Sequence, residues 1–126
     1  MNERFFVKDL DDKGFFVARD GSILNELFHP EKENLPLSFS IAYGMVEPKS
    51  ATKPHRLNQP EIYLFLHGQG VFRTDADRFY PIKAYSLVYV PAGCLQWVEN
   101  PAEEPLSFLC IVSPPWKAEW ENEENL

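Results

Sequence analysis

Three residues of this 126-residue sequence have the types and spacing to do chemistry at one point: His55, Glu61 and Gln96. His55 lies in Pro54-His55-Arg56-Leu57, Asn58-Gln59-Pro60 has the composition of a tight turn, and Glu61 opens the run Glu61–His67. A hairpin across 58–60 is expected to bring the imidazole and the carboxylate within reach of each other. That pair suits a divalent metal or acid–base work. Period-two alternation puts Glu61, Tyr63, Phe65 and His67 on one face of the strand, with Ile62, Leu64 and Leu66 on the other. His67 is six residues from Glu61, about 20 Å along an extended chain, which assigns it to the rim. Gln96 follows the turn Pro91-Ala92-Gly93. Its amide serves either as a weak oxygen ligand or as a partner for backbone groups near that turn. His29, in Leu27-Phe28-His29-Pro30, reads as a surface or turn histidine.

The elements that must position these residues are strands. Leu35 to Met45 reads LPLSFSIAYGM, with Leu35, Leu37, Phe39, Ile41, Tyr43 and Met45 alternating against smaller residues, the pattern of a half-buried strand. Shorter apolar runs at 5–7, 15–18, 62–66, 71–73, 87–90 and 108–112 are separated by Asp20-Gly21, Gly68-Gln69-Gly70, Pro91-Ala92-Gly93 and Asn100-Pro101. Many short strands with Gly/Pro turns predict an all-β sandwich or barrel. Residues 22–28 are expected as a turn or an extra strand, and 116–122 as a short C-terminal helix.

The two segments around the candidate residues resemble the motifs of the cupins, small jelly-roll β-barrels. In the first motif, His-x-His, three or four residues, Glu, six residues and Gly correspond to His55-x-Leu57, Glu61 and Gly68. In the second, Gly, five residues, Pro-x-Gly, two residues, His, three residues and Asn correspond to Tyr85, Pro91-x-Gly93, Gln96 and Asn100. Leu57 and Gln96 stand where the family has metal-binding histidines, and Tyr85 stands where it has a glycine. Gly44 is near, but not at, the expected position of the first motif's upstream glycine. The resemblance implies one domain: N-terminal strands over 1–34 packing on or extending a barrel over 35–114, then an acidic tail over 115–126. It also implies a metal site at His55, Glu61 and Gln96, harder than three imidazoles and suited to Fe, Mn, Ni or Zn. Tyr63, Phe65, Tyr89, Cys94 and Trp97 are expected to line its pocket.

Composition narrows the function. Twelve basic against 19 acidic residues give a net charge of −7, which offers no footprint for nucleic acid or an anionic membrane. No run approaches a membrane span, and the charged first residues lack a signal-peptide core, so a cytoplasmic location is expected. Cys94 and Cys110 are too few for a disulfide scaffold and read as small core hydrophobes, with Cys94 the nearer to Gln96. Glu119, Glu121, Glu123 and Glu124 against Lys117 read as a solubilising tail. By resemblance, the expected function is an oxygenase, isomerase or lyase acting on a small organic substrate. The alternative is a non-catalytic barrel that binds or senses a small ligand, with or without metal. A homodimer through sheet edges is expected of either, with 5–7 and 15–18 as the edge segments.

Overall fold

The computed structural model describes residues 5–75 and 77–124. In chain order its strands are β1 (Phe16–Val17), β2 (Ile23–Phe28), β3 (Ser40–Val46), β4 (Ser50–Ala51), β5 (His55–Leu57), β6 (Glu61–His67), β7 (Gln69–Arg73), β8 (Phe79–Lys83), β9 (Leu87–Val90), β10 (Leu95–Asn100), β11 (Leu106–Val112) and β12 (Glu121–Glu123). A one-turn helix, α1 (Pro30–Glu33), follows β2. The strands pair into two antiparallel sheets, β1-β2-β3-β11-β6-β9 and β12-β5-β10-β7-β8, with β4 added on β10. The inner faces meet in a core of Val46, Tyr63, Phe65, Val90, Leu106 and Phe108 from the first sheet and Phe72, Ile82 and Val98 from the second. Tyr63 stacks on Phe65 at 5.9 Å and meets Phe72 edge-on at 5.2 Å, tying the sheets together through aromatic contacts.

The strand expected over 35–45 begins only at Ser40, and its faces are the reverse of the simplest reading. Ser40, Gly44 and Val46 are buried toward the interior, whereas Ile41, Tyr43 and Met45 are half-buried on the outer face. Gly44 shows why the small residues point inward. A Cβ there would stand 2.4 Å from Phe108 Cζ, so the Phe108 ring occupies the space a side chain would need. The outer apolar residues are covered instead by the N-terminal segment, with Phe15 edge-on to Tyr43 at 6.1 Å. Residues 35–39 are outside any strand and, with Phe5, Phe6 and Phe28, border a shallow apolar hollow.

Three further expectations are corrected. The hairpin across 58–60 does not form: β5 pairs with β10 and β12, β6 pairs with β11 and β9, and the turn carries the chain from one sheet to the other. Residues 116–122 form a single 3-10 turn, Ala118–Trp120, leading into β12 rather than a helix. The acidic end, through Glu124, is no free tail, because β12 pairs with β5 at Glu121↔Leu57 and Glu123↔His55. Of the N-terminal runs, 22–28 contains β2 and 15–18 contains β1, but 5–7 is not a strand.

Two motif positions have structural reasons. Asn100, 1% exposed, donates its amide to the carbonyls of Val46, Glu47 and Glu104 and accepts from Ala102 N, so one side chain ties the ends of β3 and β10 to the turn before β11. Tyr85 has a φ of +71°, the left-handed region that favours the glycine it replaces.

Candidate functional site

β5 and β6 face each other across one end of the interior, and this is how His55 and Glu61 meet. A cavity of about 230 Å³ lies there, and both residues line it. Gln96 is directly opposite His55 in the β5–β10 register. It does not line the cavity. It lies behind the wall, 1% exposed, and its amide nitrogen donates to Glu61 Oε1 at 2.9 Å while its carbonyl oxygen accepts from the Tyr63 hydroxyl at 2.6 Å. The other carboxylate oxygen, Glu61 Oε2, accepts from the Cys110 thiol. The register explains this contact: Cys110 is opposite Tyr63 on β11, one diagonal step from Glu61. Four side chains thus form a buried chain, Cys110–Glu61–Gln96–Tyr63.

Burial sets the protonation of this chain. Desolvation raises the Glu61 carboxyl above its usual range, outweighing the donors Cys110 and Gln96 and the nearby His55. Burial, followed by the charge of Glu61, pushes the Tyr63 phenol and the Cys110 thiol well above their ordinary values. Both are thereby held as protonated donors at neutral pH, the form in which a thiol is a weak nucleophile.

His55 is 5% exposed. Its Nδ1 lies 2.9 Å from the Lys53 carbonyl, which only accepts, so Nδ1 carries the proton. Nε2 is then the nitrogen left to face a ligand, and no hydrogen bond among the described residues reaches it. Asp20 Oδ2 stands 4.0 Å from Nδ1. Asp20 is fixed by the Asp20-Gly21 turn, where Ser22 N and Ser22 Oγ donate to its Oδ1 at 3.0 and 2.6 Å.

The donor set does not fit a metal ion. The Gln96 carbonyl is taken by Tyr63, both Glu61 oxygens already accept hydrogen bonds, and the position of the second motif histidine is the buried, apolar Leu57. Among the described residues, no group of three His, Cys, Asp or Glu side chains is placed to hold a metal. Of the three expected ligands only the His55 imidazole nitrogen is left uncommitted, which is too few donors for the expected site.

Several residues belong here that the sequence reading did not place. Asp20, Trp116 and Glu121 line the cavity from both ends of the chain, with Phe16, Leu24 and Phe108 among its apolar walls. Gln59, fully buried, holds the C-terminal segment down by donating to the carbonyls of Pro114 and Pro115 and accepting from Lys117 N. The thiol of the site is Cys110. Cys94 lies with Tyr89 in a separate, open hollow, so both are corrected as lining residues. Phe65 is core, and Trp97 is on β10 between the inward residues Gln96 and Val98, its indole nitrogen 3.3 Å from Glu99; neither lines the cavity. Tyr63 does line it. His67 is exposed at the rim, 3.3 Å from Glu104. His29 is no surface residue: it is buried, caps α1 by accepting from Glu31 N, and its Nε2 lies 3.0 Å from the Trp116 carbonyl.

Residues 42–112 match the family model described as a cupin domain. The chain is 32% identical over 105 residues to the uncharacterized protein MJ1618 of Methanocaldococcus jannaschii, covering 82% of each. Among solved structures, it is similar to a cupin 2 conserved barrel domain protein from Salinispora arenicola, with a TM-score of 0.76 at 20% identity over 94% of this chain and 93% of the other. It is also similar to the polyketide cyclase RemF from Streptomyces resistomycificus, with a TM-score of 0.77 at 15% identity over 100% and 87%. Both structural likenesses are those of the fold.

Proposed function

The chain belongs to the cupin domain family, and on that premise we propose that it binds a small organic molecule in the His55–Glu61 cavity and moves a proton on it, as an isomerase or lyase. The observation that carries this reading is the distribution of hydrogen bonds. Glu61, Gln96, Tyr63 and Cys110 satisfy one another, while His55 keeps one nitrogen as an acceptor at the cavity. His55 is the base. Glu61, which also lines the cavity and whose carboxyl is raised by burial, is the second proton carrier. A metal-dependent oxygenase is less well supported, because the oxygen donors it would need are engaged.

A second reading, a binding or sensing barrel without chemistry, is favoured by the same saturation, since a fully bonded wall is also a rigid one. Protein purified without an affinity tag, analysed by native mass spectrometry and then incubated in D2O with any ligand it carries, separates the two. The catalytic reading expects deuterium at a carbon of the ligand, lost in His55→Ala. Retained ligand with no exchange in the wild type leaves the binding reading in its place.

We also infer a homodimer and a cytoplasmic location. The dimer is supported by the outer face of the sheet that holds β6 and β9, where Ile62, Leu87 and Tyr89 are exposed, and by the exposed edge strand β1 with Phe16 and Val17. The free thiols of Cys94 and Cys110 suit a reducing compartment. Among the described residues, no helix is long and apolar enough to cross a membrane.

A further inference from the structure

The cavity has a charge pattern that selects among small organic molecules. Asp20, Glu26, Glu61 and Glu121 line it, against one permanent cation, Arg19. That guanidinium donates to the backbone carbonyl of Glu121 at 3.2 Å. Of the four carboxyl groups, Glu26 alone has a lysine on it, Lys32 at 2.5 Å. The others are held by neutral donors: Asp20 by Ser22, Glu61 by Gln96 and Cys110, and Glu121 by the Trp116 indole at 3.2 Å.

The second observation is independent of these charges. His55 is a buried polar side chain in the cavity wall, and with Nδ1 committed to Lys53 it presents Nε2 as an acceptor. A ligand that brings an N–H or O–H would therefore complete its hydrogen bonding. A ligand carboxylate would meet like charges and bring no hydrogen to that nitrogen. A ligand ammonium brings donors for both and suits the rings of Phe16, Tyr63, Phe108 and Trp116 around it. The volume, about 230 Å³, is small for a ligand pocket and suits one small ring or a short chain.

We propose that the molecule taken by this cavity is a small organic cation, a primary or secondary ammonium compound on an apolar skeleton, held by Asp20 and Glu121 with the proton to be moved facing His55. This rests on the reading of the cavity as a small-molecule site and names the class of molecule.

The test uses the full chain and three probes on one skeleton: benzylammonium, benzyl alcohol and benzoate, compared by calorimetric titration and by amide NMR shifts around the cavity. Benzylammonium is expected to bind at least tenfold more tightly than either other probe, with an advantage that shrinks as salt is added. Asp20→Asn and Glu121→Gln, each checked for an unchanged circular dichroism spectrum, are expected to cut its advantage over benzyl alcohol at least threefold. Equal or tighter binding of benzoate or benzyl alcohol overturns the cationic assignment while leaving the small-molecule site standing, as does an advantage that neither variant reduces. Failure of all three probes to shift any cavity resonance overturns both.

Discussion

At the scale of single residues, Glu61 is the most consequential side chain. It is buried beside His55, accepts from Gln96 and Cys110, and has its carboxyl raised chiefly by desolvation. A carboxyl raised in the folded state contributes stability that is complete below the unfolded value, about 4.3, and is lost as pH rises through the folded value. Glu61→Gln keeps the shape and removes that titration. The melting temperature of Glu61→Gln relative to wild type is therefore expected to climb from pH 4 toward pH 8, as scanning calorimetry across that range would show. A difference that stays flat contradicts the buried titration. If the variant's ligand-proton exchange is measured alongside, it should fall roughly 10²–10⁴-fold, the usual worth of a positioned acid or base. The convergence of His55, Glu61 and Gln96 was legible from motif spacing. Which atoms they offer was not, because the amide of Gln96 turns away from the cavity to Tyr63, a choice fixed by the opposite sheet. Cys110 was missed for a related reason. Its approach to Glu61 follows from the β6–β11 register, which local sequence does not specify.

At the scale of elements, alternation predicted strands well but not which side faces in. In β3 the large residues point outward because the Phe108 ring fills the space over Gly44 and the N-terminal segment covers Ile41 and Tyr43. Residues 58–60 have turn composition, and the same residues that suit a hairpin here serve to cross between sheets. The turn between β8 and β9 leads to a measurable consequence. Tyr85 holds φ at +71° with its side chain 80% exposed. Left-handed backbone costs a non-glycine residue roughly 1–2 kcal/mol, partly offset by the extra chain entropy glycine loses on folding, about 0.5–1 kcal/mol. Tyr85→Gly should therefore stabilise the fold by about 0.5–1 kcal/mol in urea unfolding. A destabilised variant would mean that the exposed ring contributes packing in an assembled form.

The whole molecule is a barrel-type interior closed at the site end by both ends of its described chain. Asp20 arrives from the N-terminal segment, and Trp116 and Glu121 arrive through the Gln59 anchor and β12. Composition alone suggests an acidic tail over 115–126, because charge says nothing of the tryptophan at 116 and the buried Gln59 that dock its described part, through Glu124. Leu87 and Tyr89 on β9 are exposed on the outer face of the same assembly of strands. Light scattering after size-exclusion chromatography should report a dimer for the wild type and a monomer for Leu87→Glu/Tyr89→Glu. A wild type that is monomeric at micromolar concentration contradicts the inferred assembly.

We infer that this site works through its own proton carriers, His55 and Glu61, rather than through a metal. Elemental analysis of untagged protein, paired with thermal melts before and after chelator, tests it most directly. Fe, Mn, Ni and Zn are expected far below one ion per chain, with a melting temperature indifferent to chelator and to added metals. One ion per chain, lost together with thermal stability in His55→Ala, would contradict it.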